Sequence, residues 1–129
     1  MCGAHILCVA HTPMDRDRDV DRHLPLRRVA FHILLSLAAG ERHGYGIIQD
    51  IEARGERPVP DVGTMYRALA RMVEAGMIAA SARPSNDDER RNNYRITTLG
   101  MRLARAEARR LGALLEAARM GGLFPKGIP

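Results

Sequence analysis

The order in which hydrophobic periods succeed one another along this chain limits its fold more than any other feature. Three segments with apolar residues at helical spacing come first, two short alternating segments around a polar turn follow, and one long helical repeat comes last. Apolar residues three and four apart line one face of a helix, whereas strict alternation lines one face of a strand. The first helical segment opens near Pro25 and places Leu26, Val29, Ala30, Ile33, Leu34 and Leu37 on one stripe. Its second half, from Phe31 to Ala39, is apolar nearly all round, so it must be covered on more than one side. Gly40 ends it.

The second helix is expected from His43 or Gly44 to Glu52, with Tyr45, Ile48 and Ile51 facing inward. Gly55, Pro58 and Pro60 mark an irregular connection. The third starts between Asp61 and Thr64, either of which can cap it. Met65, Tyr66, Leu69, Met72 and Val73 form its buried face, and Thr64, Arg67, Ala68 and Arg71 its outer one. Gly76 closes it. Residues 77–83 and 93–97 read as strands joined by the polar turn from Pro84 to Arg90. Thr97 or Thr98 then caps a last helix reaching Met120. Its seam of Met101, Ala104, Ala108, Leu111, Leu115 and Ala118 has the spacing of a helix packed along a second helix.

The 129 residues suffice for one domain, and a 46% hydrophobic content supplies a packed core. With aromatics at 4% and no Trp, that core is aliphatic. The expected fold class is mainly α with a small β-hairpin: a winged helix-turn-helix over residues 24–97, a dimerisation helix over 98–120 and a frayed tail over 121–129. Residues 1–23 are expected to be a flexible extension, because Met14 to Arg22 alternates acid and base with little apolar surface to offset its ordering entropy. Met14 is an alternative start.

Charge points to a polyanionic partner. The formal net charge is +5, and Lys126 is the only lysine among 20 basic residues, the rest being arginine. Guanidinium forks match phosphate oxygens and guanine edges. Against this, genomic base composition alone can favour arginine. The second and third helices would form the helix-turn-helix, and the third would enter the major groove. Its outward turns carry a hydroxyl, a methyl and two arginines, side chains able to read base edges and grip phosphates. At the hairpin, Arg83, Arg90 and Arg91 could reach the DNA backbone, although Asp87, Asp88 and Glu89 beside them suit a self-paired loop equally.

Other function classes lack a signature. There is no phosphate-binding glycine loop and no nucleophile elbow, and His32 and His43 stand alone. His32 reads as a satisfied core histidine. Cys2, His5, Cys8 and His11 recur every third residue in metal-ligand types, but no second ligand cluster follows, so neither metal nor cofactor is expected. No apolar run approaches a membrane span, no secretory leader is evident, and the cysteine usage suits a reducing cytosol; a cytoplasmic location is expected.

Four linked stretches resemble one known family. His43 to Ile48, Gly63 to Arg71, Glu74 to Ile78 and Tyr94 to Gly100 are similar, in this order, to the PadR family of bacterial transcriptional regulators. The likeness runs from about Leu24 to Met120 and fits the subgroup with a short C-terminal helix. It implies a homodimeric winged-helix repressor of double-stranded DNA released by a small-molecule effector, and it assigns Tyr45, Thr64, Tyr66 and Arg67 to the DNA-binding surface. Asn92 and Asn93 depart from the basic and aromatic residues common before Tyr94 in the family. The competing reading is a winged-helix module for protein–protein contact without DNA binding, since fold alone does not fix function.

Overall fold

The computed structural model describes residues 20–81 and 92–124. It contains α1 (Arg28–Ala38), β1 (Arg42–His43), α2 (Gly44–Ala53), α3 (Val62–Glu74), β2 (Ile78–Ser81), β3 (Asn93–Ile96) and α4 (Thr98–Met120). The chain enters α1 through Arg27, whose extended backbone delays the helix beyond the expected start near Pro25. Ile33, Leu34 and Leu37 are buried, while Phe31 is half-buried and Leu35 is exposed. Among the described residues, one flank of the apolar helix is therefore left partly uncovered.

Core residues come from every helix and from the sheet. Ile47 and Ile51 of α2, Met65, Leu69 and Met72 of α3, Ile78 and Tyr94 of the strands, and Leu103 of α4 close around α1. Three refinements follow from helical geometry. Ala68 lies three residues after Met65 and four before Met72, which puts it on their stripe; it is buried and not on the outer face where it was expected. Val73, expected inward, is exposed, and in α2 the inward place expected for Tyr45 is taken by Ile47.

The sheet has three strands where the hairpin pattern announced two. Its order is β1-β3-β2, all antiparallel. Ile78 faces Ile96 and Ala80 faces Tyr94, while the added strand sets Arg42 opposite Tyr94. A two-residue strand with both side chains exposed carries no alternating pattern, which is why it left no trace in the periodicity. The extension was expected to be mobile through residue 23, yet residues 20–22 are helical and Val20 is part of the core. Val20 is the one aliphatic side chain in its stretch of alternating charge, and burying it fixes the end of that stretch.

Thr97 joins three elements. Its hydroxyl accepts from the Gly100 amide at 3.1 Å, capping α4, and donates toward the carbonyl oxygens of Gly76 and Met77 at 2.5 and 2.9 Å. Gly100 completes the junction: a Cβ there would stand 2.0 Å from the Met77 carbonyl oxygen. The first turn of α4 thus rests directly on the backbone that leaves α3. Farther along, Leu103, Ala104 and Glu107 are buried, whereas Leu111, Leu114 and Leu115 are exposed on the distal half of the helix.

Candidate nucleic-acid interface

The candidate interface is built on α3. Asp61 caps the helix by accepting the Thr64 amide at 2.7 Å. That bond, with a smaller contribution from the nearby Arg67 cation, holds the Asp61 carboxyl below its ordinary range. The inner stripe of Met65, Ala68, Leu69 and Met72 anchors the helix, and its rotation leaves Arg67 and Arg71 exposed. Thr64 is half-buried at the first turn, and Arg67 Nη2 donates to its hydroxyl at 3.3 Å. Hydroxyl and guanidinium therefore stand side by side in the first turn of the helix, next to the Asp61 carboxylate that takes up its amide end.

Tyr66 and Tyr45 occupy opposite situations. Tyr66 is half-buried and packs against the core, as its place on the inner stripe predicts. Its ring end lies over Gly44, where a Cβ would come within 2.7 Å of the phenolic oxygen. Gly44 is thus the seat that lets α2 and α3 approach. Tyr45 is 61% exposed at the start of α2 and projects an amphipathic ring into solvent. Beside it, Arg42 pairs with Asp50 at 3.0 Å, tying the short strand β1 to α2.

The structure therefore brings Thr64, Arg67 and Arg71 onto one helix, with Tyr66 beneath them and Tyr45 on the neighbouring helix. Arg83 and Arg91 lie outside the described residues, as do Arg90 and the Cys2, His5, Cys8 and His11 pattern. Of the seam on α4, Ala108, Leu111 and Leu115 are exposed and Met101 and Ala118 half-buried. Ala104, assigned to the same seam, is buried inside the protomer, because the first turns of α4 are covered by the sheet and α1. Among the described residues no group of three or more His, Cys, Asp or Glu side chains could hold a metal ion. No described helix is long and apolar enough to cross a membrane.

Two polar clusters escaped sequence reasoning. Glu107 is buried on α4, where Arg110 donates to both its oxygens at 2.7 and 2.9 Å and the Leu26 amide adds a hydrogen bond. The Arg110 bonds, outweighing burial, hold its carboxyl below the ordinary value. The three-residue spacing of Glu107 and Arg110 was a usable signal. The second cluster links α1 to the segment after α2: Arg28 pairs with Glu56, His32 Nδ1 lies 3.0 Å from Arg54 Nη1, and Arg54 Nη2 donates to Ser36 at 2.8 Å. His32 is satisfied as expected, but its partners come from a loop with no periodicity to read.

A three-helix core with a small antiparallel sheet, and a capped third helix presenting arginines outward, defines the winged helix-turn-helix class. The transcriptional regulator PadR-like family matches residues 33–106, and the chain belongs to that family. Solved structures agree. A PadR family transcription regulator from Clostridium difficile is 21% identical with a TM-score of 0.61, the match covering 73% of this chain and 97% of that one. A transcriptional regulator from Clostridium thermocellum is 27% identical with a TM-score of 0.60, covering 71% and 87%. Bacillus subtilis PadR in complex with operator DNA is 22% identical with a TM-score of 0.55, covering 64% of this chain and 47% of that longer one. No curated protein matches the chain.

Proposed function

We propose that this protein is a sequence-specific regulator of transcription that binds duplex DNA as a homodimer and acts as a repressor released by a small-molecule effector. The observation that carries the reading is the outer face of α3, where Arg67 and Arg71 are exposed on a helix fixed by its Asp61 cap and its inner stripe. Family membership and the operator complex of Bacillus subtilis PadR support the same assignment. In this arrangement Arg67, Arg71 and Thr64 enter the major groove, Tyr66 holds α3 against α2, and Tyr45 reaches the backbone. Arg83 and Arg91 would add contacts from the wing.

The exposed leucines on the distal half of α4 supply the dimer contact, together with the uncovered flank of α1 at Leu35. A twofold pair of α3 helices then meets half-sites about one helical turn, ~34 Å, apart. The test is fluorescence anisotropy with duplexes selected from a random library seeded with the upstream region of the gene itself. Affinity should fall steeply with rising salt through counterion release. Arg67→Ala and Arg71→Ala should each cost about 1–3 kcal/mol of binding if the side chain reads a base. Unchanged affinity in both variants removes the assignment, and a dimer without DNA affinity at low salt favours a protein-binding role.

A further inference from the structure

Helix α4 carries five arginines and two glutamates. Both acids are taken: Glu107 pairs with Arg110, and Glu116 with Arg119. Arg102, Arg105 and Arg109 remain, and none of the three has a side-chain partner among the described residues. Spacings of three and four residues stack them in one row. Helical phase sets that row opposite Leu103, Ala104 and Glu107, the buried side of the helix. Arg105 and Arg109 are exposed and Arg102 is half-buried. Leu111, Leu114 and Leu115 continue the buried side, so the row also points away from the proposed dimer contact. Helix α4 packs on α1 and β3, whereas α3 packs on α1, α2 and β2. The row is thus a separate surface from the outer face of α3.

Like charges three and four residues apart repel, so a row without counter-charge costs stability until an anion answers it. The residues flanking it, Ala106, Ala108, Gly112 and Ala113, are small. They offer a protein no aromatic anchor and a bilayer no apolar wedge. A phosphate backbone needs neither. Arg102 to Arg109 spans about 10 Å of helix axis, which matches about three phosphate steps along one strand of duplex DNA. We propose that this row is a second DNA-binding surface, which holds the phosphate backbone of a duplex other than the one read by α3, so that the protein bridges two DNA segments. The bridging rests on the DNA-binding reading of α3 given above, whereas the row stands on its own charge and geometry.

The experiment uses the full-length protein saturating an immobilised operator duplex, with a labelled duplex of random sequence as the probe. The wild type should capture the probe, with a log–log salt slope of about −2.7, at about 0.9 per phosphate engaged. The triple variant Arg102→Gln, Arg105→Gln, Arg109→Gln should keep operator affinity within about twofold and lose capture at least about tenfold. Its melting temperature should be no lower than the parent's, because the repulsion is gone. Lysine at the same three positions should restore capture, since a backbone contact asks only for charge. No capture by the wild type at low salt, or undiminished capture by the glutamine variant, overturns the proposal. Operator affinity lost in step with capture gives the row to the operator duplex itself and overturns it too. A protein that selects no operator, yet binds the random duplex through the row, refutes the reading of α3 and, with it, the bridging, while leaving the row a DNA site.

Discussion

A methyl group added at residue 44 and one added at residue 100 would meet different obstacles. At Gly44 the neighbour is the end of the Tyr66 side chain; at Gly100 it is the Met77 carbonyl, part of the backbone. Gly44→Ala should therefore fold with a small change in melting temperature but lower DNA affinity, because the displaced ring reorients α3. Gly100→Ala should cost more than about 3 kcal/mol, since overpacking against backbone cannot relax. Thermal unfolding beside anisotropy separates the two, and equal losses of stability would contradict this ranking. Glu107 gives a pH prediction. Its folded pKa lies below the ordinary 4.5, so its ion pair stabilises the fold above that pH and the contribution is lost as pH falls through the lowered value. Melting temperature should drop more steeply below pH 4.5 in the wild type than in Glu107→Gln; parallel slopes would contradict the assignment.

At the scale of elements, α4 does two jobs along its length. Its first turns are consumed by the protomer, with Leu103 and Ala104 buried, and its distal half leaves Leu111, Leu114 and Leu115 uncovered. Leu111→Asp places a charge in that distal patch and should yield a folded monomer by sedimentation. A variant that still sediments as a dimer would move the interface to another face. The sequence pattern made the helices and hairpin legible because each has a strong period. It misjudged which residues face inward wherever one residue decides the matter. Ala68 has no preference of its own, and its burial follows from the phase set by Met65 and Met72. Tyr45 is apolar enough to count toward a stripe, and only the packing of Ile47 shows it outside. Strand β1 and the Arg28, His32, Arg54 and Glu56 cluster depend on loop geometry that no local pattern encodes. Of the candidate interface, the exposure of Arg67 and Arg71 was readable from helical spacing, whereas Thr64, expected on the same outer face, is half-buried.

For the molecule as a whole, the proposed activity requires that two copies hold their α3 helices at a fixed separation while each protomer still responds to its effector. The first turn of α4, the helix proposed to carry the dimer contact, meets the end of α3 at the junction of Thr97 with Gly76 and Met77. In the proposed dimer that junction would be the pivot of a pair of callipers. Slackening the pivot should leave the grip of each tip intact and spoil only the setting. Thr97→Val removes the hydroxyl and keeps the shape, so it should bind a single half-site normally while tolerating an operator lengthened by one base pair that the parent refuses. Undiminished discrimination would mean that the gauge is held elsewhere.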